Sequence, residues 1–382
     1  MDFESLFDIP IDDLHTPCYL TDARLLQKNT ALLKQIQQRT GCKILLAQKA
    51  FSMFSAYPLI RDDLAGTTAS GLFEAKLGRE HFGKEVHVFS PAYTQEDFTQ
   101  LLELCDHIVF NSFGQWKKYR QQVQDATRNI SCGIRINPGY AEVETDLYNP
   151  CISGSRMGVP LEQMEDDFAG LDGIHFHTMC EQNSDVLERT LDHMLPQFDK
   201  WLKRCKWVNF GGGHHITRPD YDVERLVRCI ERVRDTYGVQ VYLEPGEAVA
   251  LNAGYLVATV LDVVHNGMDI AILDASAACH MPDVLEMPYR PHILYSGTAG
   301  EKAYTYRLAG NTCLAGDVIG DYSFDHQLQA GEKLVFCDMA IYSMVKNNTF
   351  NGVPLPDIAL YQDGKIQLVK QFGYIDFEGR LS

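Results

Sequence analysis

The sequence has no long hydrophobic run and no basic, apolar segment at its start. No stretch reaches the roughly 18 consecutive apolar residues that a membrane-spanning helix needs. The opening residues, Met1-Asp2-Phe3-Glu4-Ser5, lack the basic and apolar regions of a secretory leader. We therefore expect a cytoplasmic protein that is not held in a membrane.

Basic residues are few, and the cysteines follow no pattern. The 34 Lys and Arg face 51 Asp and Glu, which gives a formal net charge of -17 and disfavours nucleic acid or anionic lipid as a partner. The 11 cysteines include no Cys-x-x-Cys pair, which argues against a disulfide framework and against a zinc site. We expect no metal, and the acidity weakly favours a polycationic small molecule.

Short apolar runs alternate with amphipathic helical stretches between residues 43 and about 250. About eight such repeats close a parallel barrel, so we expect an α/β fold of the (β/α)8 TIM-like type. A doubly wound parallel sheet is the alternative. The eight predicted strands are residues 44–47, 66–69, 86–89, 108–110, 133–136, 173–176, 207–210 and 241–243.

The pattern changes after about residue 255. Strand-like runs separated by turns follow at residues 256–264, 270–273, 302–307, 333–337 and 365–368. We predict a barrel domain at residues 18–255 and a C-terminal all-β domain at residues 256–382, to which residues 1–17 add a strand.

Polar residues at the predicted strand ends suit one ligand, because the chemistry of a parallel barrel lies where its strands end. Lys49 ends an apolar strand, where an amine is costly to bury unless it reacts, for example as a Schiff base. Gly211-Gly212-Gly213 can hold a phosphate, Glu244 can pair with a protonated ring nitrogen, and His177 can lie against a flat ring. Each has an ordinary alternative: a lysine that reaches solvent, a tight turn, an acidic turn and a core histidine.

Taken together, these segments resemble a known family, the fold-type III pyridoxal-phosphate decarboxylases. That family includes ornithine and diaminopimelate decarboxylases and shares its barrel with alanine racemase. The resemblance covers nearly the whole chain. The matching motifs are, in order, Ala47-Gln48-Lys49-Ala50, His175-Phe176-His177, Gly211-Gly212-Gly213, Glu244-Pro245-Gly246 and Gly310-Asn311-Thr312-Cys313-Leu314-Ala315-Gly316-Asp317.

The resemblance implies a pyridoxal-phosphate site and a homodimer with shared active sites. Lys49 would carry the cofactor covalently, His177 would stack on its ring, and Glu244 would hold the ring nitrogen. Gly211, Gly212, Gly213 and Tyr342 would hold the phosphate. Cys313, as a proton donor, and Asp317, near the substrate, would come from the second subunit.

Two departures from the ornithine and diaminopimelate enzymes concern the substrate. Glu247 follows Glu-Pro-Gly where those enzymes usually have arginine, which exchanges an anion site for a cation site. The segment that runs from Asp274 to Asp283 adds two more carboxylates. Both features resemble the branch that decarboxylates carboxynorspermidine or carboxyspermidine, in which Glu247 and Asp283 would bind the amines of a polyamine. We therefore expect this carboxy-lyase reaction of polyamine biosynthesis.

Other activities stay open at this point. A diaminopimelate decarboxylase has the same fold, although Glu247 would repel the distal carboxylate of its substrate, and a racemase lacks the motif around Cys313. A catalytically silent regulatory homologue is a third alternative, although Lys49, Cys313 and Asp317 are all in place. Carboxynorspermidine and carboxyspermidine differ by one methylene, worth only about 0.8 kcal/mol. Three residues near the predicted site receive no role: His214, His280 and Arg290.

Overall fold

The computed structural model of the protein describes residue 4, residues 7–143 and residues 145–382. The chain divides into two compact units. The barrel unit is Gln27–Val249, and the sheet unit combines the residues through Leu26 with Ala250–Ser382. All 11 cysteines are free thiols, in line with their irregular spacing.

Eighteen strands are found within the described residues: Cys18–Asp22 (β1), Lys43–Ala47 (β2), Gly66–Ala69 (β3), Glu85–Phe89 (β4), His107–Phe110 (β5), Ser131–Asn137 (β6), Val159–Pro160 (β7), Gly173–His175 (β8), Trp207–Asn209 (β9), Gln240–Leu243 (β10), Gly254–His265 (β11), Asp269–Leu273 (β12), Gly297–Thr298 (β13), Tyr304–Ala309 (β14), Val318–Phe324 (β15), Lys333–Cys337 (β16), Asp357–Gln362 (β17) and Lys365–Lys370 (β18).

The α-helices of the same residues are Ala23–Thr40 (α1), Tyr57–Ile60 (α2), Leu72–Leu77 (α3), Gln95–Leu104 (α4), Phe113–Asp125 (α5), Ser184–Leu202 (α6), Val223–Tyr237 (α7), Glu247–Ala250 (α8), Ala277–His280 (α9), Asp283–Glu286 (α10) and Tyr374–Glu378 (α11). Among the helices described, none combines the length and the apolar character needed to cross a membrane.

Eight parallel strands close the barrel unit. They pair in the order β2-β3-β4-β5-β6-β8-β9-β10, and β10 returns to β2, with Tyr242 beside Lys43. β7 is an extra strand next to β6. Each of the eight predicted strands overlaps one strand of this ring. Because a doubly wound sheet keeps two open edges, the closure excludes that alternative and confirms the predicted barrel.

The barrel elements follow from the local sequence. β2 is buried from Ile44 through Ala47, as expected where helices cover the outside of a parallel barrel. α7 begins where the side chain of Asp222 accepts a hydrogen bond from the N–H of Arg225, and it ends at Gly238, whose φ is 66°. Its apolar spacing is that of the amphipathic stretches found between the predicted strands.

The sheet unit is one mixed sheet, which confirms the predicted second, β-rich domain. Its strands follow the order β13-β15-β14-β12-β11-β1-β17-β18, with β16 beside β11. Its core packs around Leu256, Leu273 and Phe336. The N-terminal strand that the structure describes in this sheet is Cys18–Asp22, whereas the prediction placed a strand within residues 1–17, part of which lies outside the described residues. Residues 18–26 and 250–255 group with the sheet unit, and not with the predicted barrel domain, because β1 and β11 pair with each other and β1 also pairs with β17.

Candidate active site

Lys49 lies just beyond the carboxyl end of β2, where other strands of the barrel also end in polar residues. Desolvation by the surrounding protein lowers the pKa of Lys49, and the positive charge of Arg135 lowers it further. The negative charges of Glu244, Glu74 and Glu247 raise it in part. The side chain is nevertheless open to solvent. An accessible amine with a lowered pKa is suited to act as a nucleophile, because more of it is unprotonated at neutral pH.

Glu244 follows β10 and is held at both oxygens. The Asn209 amide donates from Nδ2 to Oε1 over 2.7 Å, and Nε2 of His175 lies 3.2 Å from Oε2. Burial alone would raise the pKa of Glu244, but the charge of His175 and the hydrogen bonds from His175 and Asn209 lower it to about 2. The carboxylate is therefore ionised and fixed in direction, which suits a protonated ring nitrogen.

His177 follows β8, and its ring is oriented by the glycine turn. The N–H of Gly212 donates to Nδ1 of His177 over 2.7 Å, which leaves the proton of the neutral ring on Nε2. Desolvation, followed by the charges of Lys49 and Arg135, lowers the pKa of His177 well below its ordinary value. A neutral ring is therefore fixed near Lys49. The stacking of this ring on a cofactor stays a prediction.

The three glycines of the turn allow close backbone packing. Gly211 and Gly213 have φ values of 69° and 82°, and a Cβ at Gly213 would come within 2.0 Å of the carbonyl oxygen of Met179. The N–H of Gly211 donates to Oδ1 of Asn209 over 2.9 Å, and that of Gly212 is used by His177. Two of the three N–H groups predicted to hold a phosphate are thus engaged within the protein.

Three residues of the site were not predicted: Arg135, His175 and Asn209. Arg135 is 5% exposed, and its guanidinium carbon lies 4.6 Å from the centre of the Phe89 ring. One of its Nη groups donates to the carbonyl of His177 over 3.3 Å. Desolvation lowers the pKa of Arg135 to about 10. The sequence did contain a signal for these three residues. Arg135 lies between two isoleucines in a buried strand, and His175 and Asn209 each end another barrel strand.

The predicted substrate carboxylates of the sheet unit already have protein partners. One oxygen of Asp274 accepts from the hydroxyl of Thr16 over 2.6 Å, and the other accepts from the N–H of Thr259 over 2.7 Å. Asp283 is ion-paired with Lys346. Asp274 is therefore engaged in holding the sheet unit, whereas Asp283 has a cation beside it.

Asp317, which was predicted to lie near the substrate, is held by donors of the protein. It is 2% exposed, its Oδ2 accepts from the hydroxyls of Ser276 (2.8 Å) and Thr312 (2.7 Å), and its Oδ1 accepts from the N–H of Ala278 (3.2 Å). These donors make Asp317 the centre of the loop that contains Cys313. Cys313 itself is exposed.

Four more residues were named from the sequence, and they differ in burial and in backbone conformation. Tyr342 has a φ of 47°, a left-handed conformation that is rare outside glycine and often marks functional segments. His280 is fully buried within the sheet unit, and the guanidinium of Arg290 lies 4.1 Å from the ring centre of Tyr322. His214 is 2% exposed in the barrel unit. His280 and Arg290 therefore have packing roles.

A second polar cluster lies at the opposite, amino-terminal end of the barrel strands. Possible ligand atoms of Glu85, His87 and His107 lie within 4.8 Å of one another. The two imidazole rings are stacked, with 3.9 Å between their centres and 8° between their planes, so their in-plane lone pairs lie in two nearly parallel planes and do not converge on one point. Lys43 is ion-paired with Glu85. This geometry does not suit the tetrahedral site that zinc prefers.

The barrel site has the donor set that pyridoxal phosphate requires. It combines an accessible lysine amine, an ionised and oriented carboxylate, a neutral flat ring and a buried guanidinium. It also holds buried polar atoms without a hydrogen-bond partner among the described residues, namely Nε of Arg135, Nδ1 of His175 and Oγ1 of Thr178. Residues at this end of the barrel therefore fit the cofactor.

The comparison with known proteins agrees with this chemistry. The family model described as pyridoxal-dependent decarboxylase, C-terminal sheet domain, matches residues 18–340. The chain is 42% identical to the carboxynorspermidine/carboxyspermidine decarboxylase of Campylobacter jejuni, over 97% of this chain and 99% of that protein. It is 41% identical to the carboxyaminopropylagmatine decarboxylase of Synechocystis, over 97% of this chain and 96% of that protein.

A solved structure extends the likeness to the fold. The crystal structure of carboxynorspermidine decarboxylase complexed with norspermidine from Campylobacter jejuni matches with a TM-score of 0.89 and 41% identity, over 96% of this chain and all of that one (100%). The family resemblance predicted from the motifs is confirmed. The chain belongs to the family of pyridoxal-dependent decarboxylases.

Proposed function

We propose that this enzyme uses pyridoxal phosphate to decarboxylate carboxynorspermidine or carboxyspermidine, forming norspermidine or spermidine in polyamine biosynthesis. The observation that carries the proposal is the pairing of Lys49, with its lowered pKa, and the ionised Glu244 at one end of the barrel. A relative of 42% identity with this activity in its name supports the choice of substrate.

The reacting groups follow from the geometry. When bound, pyridoxal phosphate supplies an electron-withdrawing ring that accepts the charge left by loss of carbon dioxide. Lys49 would be the residue that holds the cofactor covalently, through an amine whose pKa is lowered. Glu244 would present its ionised carboxylate to the ring nitrogen and keep a proton there. His177 would pack on the ring as a neutral group, since its pKa is well below the ordinary value.

Fewer residues are proposed to contact the phosphate than the family motif implied. The N–H groups of Gly211 and Gly212 orient Asn209 and His177, so we propose that Gly213 and Tyr342 contact the phosphate and that the other two glycines support it indirectly. The tight packing at Gly213 makes glycine necessary there in any case.

Substrate selection is assigned to Glu247 and Asp283. Each amine of a polyamine is a cation at neutral pH, and a carboxylate beside it forms a charge-assisted hydrogen bond worth roughly 1.5 to 3 kcal/mol. Glu247 already acts as a negative charge on Lys49. Asp283 holds Lys346, so a substrate amine shares or replaces that lysine. We now assign Asp274 and Asp317 to structural roles, because protein donors use their oxygens.

Cys313 is proposed as the proton donor that quenches the reacting carbon, contributed by the second subunit of a homodimer. Its exposure supports this role, because a thiol that serves a neighbouring subunit lies on the surface of its own chain. The burial of Asp317 supports it as well, since Asp317 fixes the loop that presents Cys313.

A second candidate substrate is carboxyaminopropylagmatine. A relative of 41% identity, nearly equal to that of the first, carries the name of that activity. The planar guanidinium of an agmatine derivative can pair with a carboxylate such as Glu247 through two hydrogen bonds.

The test is direct. The protein is incubated with pyridoxal phosphate and, separately, with carboxynorspermidine, carboxyspermidine, carboxyaminopropylagmatine, diaminopimelate and ornithine, and release of carbon dioxide is followed. Lys49→Ala is expected to abolish release, whereas Lys43→Ala, at the other end of the same strand, serves as the matched control. Preference for diaminopimelate or ornithine would overturn the proposed substrate, and preference for the agmatine derivative would favour the second candidate. No release from any substrate would favour a silent homologue.

A further inference from the structure

A fully buried amide connects the carboxylate of the site to the glycine turn. Asn209 is 0% exposed. Its Nδ2 donates to Oε1 of Glu244 over 2.7 Å, and its Oδ1 accepts from the N–H of Gly211 over 2.9 Å. One side chain thus contacts both the group proposed for the ring nitrogen and the first residue of the turn.

The backbone places these residues together. β9 and β10 are parallel, and Asn209 is level with Tyr242. Beyond the strand ends, the N–H of Phe210 still donates to the carbonyl of Tyr242 over 2.9 Å, and the N–H of Glu244 donates to the carbonyl of Gly211 over 2.8 Å. The segments that follow β9 and β10 therefore stay in register up to Glu244. The backbone hydrogen bonds between them hold Asn209 and Glu244 at a fixed separation.

The amide of Asn209 satisfies both neighbours at once. Gly211 offers an N–H and requires an acceptor, whereas the ionised carboxylate of Glu244 requires a donor. A leucine of similar size offers neither, and it would leave two buried polar groups unpaired, which is costly. An aspartate accepts from Gly211 and donates to Glu244 only when the two carboxyl groups share a proton.

His175 completes the arrangement at the other oxygen of Glu244. It is level with Asn209 in the pairing of β8 with β9, it is 2% exposed, and its Nε2 lies 3.2 Å from Oε2. Desolvation lowers the pKa of His175, whereas the charge and the hydrogen bond of Glu244 raise it in part. Among the described residues, its Nδ1 has no hydrogen-bond partner.

We infer that Asn209 is a positioning residue for the reaction: its N–H holds Glu244 ionised and aimed at the ring nitrogen, and its carbonyl joins that carboxylate to the Gly211 turn. The inference rests on the proposed function, since it takes Glu244 as the partner of the cofactor ring. Loss of the donor removes a hydrogen bond that fixes the direction of Glu244 and that adds to the effect of His175 in lowering its pKa. A carboxylate that is no longer aimed at the ring nitrogen, and that accepts a proton more readily, keeps that nitrogen protonated less well.

The experiment compares Asn209→Leu and Asn209→Asp with the wild type after each is loaded with pyridoxal phosphate labelled with nitrogen-15 in the ring. The nitrogen-15 NMR shift reports whether the ring nitrogen is protonated. Thr190→Val is the matched control, because Thr190 is equally buried and its hydroxyl donates over 2.8 Å to the carbonyl of Val186 inside α6. Melting temperatures report folding, and kcat/KM is measured across pH.

Asn209→Leu is expected to lose ring protonation and about 10- to 100-fold in kcat/KM, the effect of one charge-assisted hydrogen bond. Asn209→Asp is expected to keep the ring nitrogen protonated at low pH, because a proton shared by the two carboxyl groups replaces the amide N–H. As the pH rises and that proton is removed, the variant should lose activity. The wild type should not show this pH dependence. Thr190→Val should change only the melting temperature.

The inference is overturned if Asn209→Leu folds and keeps a protonated ring, or, should that variant not fold, if Asn209→Asp shows the pH profile of the wild type. The proposed function fails separately: a wild type that binds the cofactor with a protonated ring and decarboxylates no carboxylated polyamine leaves the inference intact. A wild type that binds no cofactor overturns both.

Discussion

Glu244→Gln separates the electrostatic role of Glu244 from its packing. The glutamine carbonyl can accept from Asn209, as Oε1 does at 2.7 Å. Its amide then faces Nε2 of His175, which can accept a hydrogen bond once the ring moves its proton to Nδ1, an atom without a partner among the described residues. We therefore expect a folded variant whose side chain keeps its place but carries no charge.

The magnitude follows from the lost charge. A ring nitrogen cation that loses its buried counter-ion costs about 3 to 5 kcal/mol, which corresponds to roughly a 100- to 5,000-fold loss in kcat/KM. For folding, the fall in the pKa of Glu244 from 4.5 to about 2 sets an upper limit of about 3 kcal/mol. Because the folded-state pKa is depressed, this contribution is present above pH 4.5 and is lost as the pH falls toward 2.

Glu85→Gln is the matched control, since Glu85 lies in the same barrel and contacts His87. Desolvation would raise the pKa of Glu85, but His87 and Lys43 lower it to about 2, as the contacts of Glu244 do for that residue. Urea unfolding at pH 7 and pH 4 and steady-state decarboxylation are measured for both variants. We expect both to lose stability and only Glu244→Gln to lose kcat/KM. The reasoning is refuted if Glu244→Gln keeps near-wild-type kcat/KM, or if Glu85→Gln loses as much.

Three further predictions concern the substrate and the second subunit. Glu247→Arg should lower kcat/KM for carboxynorspermidine by about 10- to 100-fold and raise the relative rate with diaminopimelate, and an unchanged ratio of the two rates would contradict the cation role. Asp283→Asn should raise KM with little change in kcat, whereas Lys346→Ala should lower KM by removing the competing ammonium; the reverse order of KM values would contradict the proposed contact. Mixing Lys49→Ala with Cys313→Ala should restore about a quarter of the wild-type activity if dimers exchange subunits, and no recovery would contradict a shared site.

The barrel could be predicted because most residues of its strands are buried and few of them are charged. Residues 66–69 were predicted with the bounds that β3 has in the structure. β15, in contrast, contains Gly320 and Asp321 and is buried at irregular positions, so neither alternation nor an apolar run indicated a strand. β1 precedes a long helix, as a barrel strand does, and only its pairing with β11 and β17 places it in the sheet unit.

The site was predictable where a residue type has a known chemistry at a strand end, as for Lys49, His177 and Glu244. Asn209 and His175 were not predicted because their importance comes from register: they lie level on neighbouring strands and reach the same carboxylate. Asp317 was assigned to the substrate because the sequence shows its motif and not its three donors, which only the folded loop brings together.

The two ends of the barrel show why one carboxylate is functional and the other structural. Glu85 and Glu244 each have a histidine within 3.2 Å, and the pKa of each is lowered to about 2. Glu85, however, has an ammonium partner in Lys43, which balances its charge within the protein. Glu244 is held instead by the neutral amide of Asn209 and by His175, whose own pKa is lowered by burial. A buried charge kept in this state is suited to a cation that arrives with a ligand, and the ring nitrogen of the cofactor is such a cation.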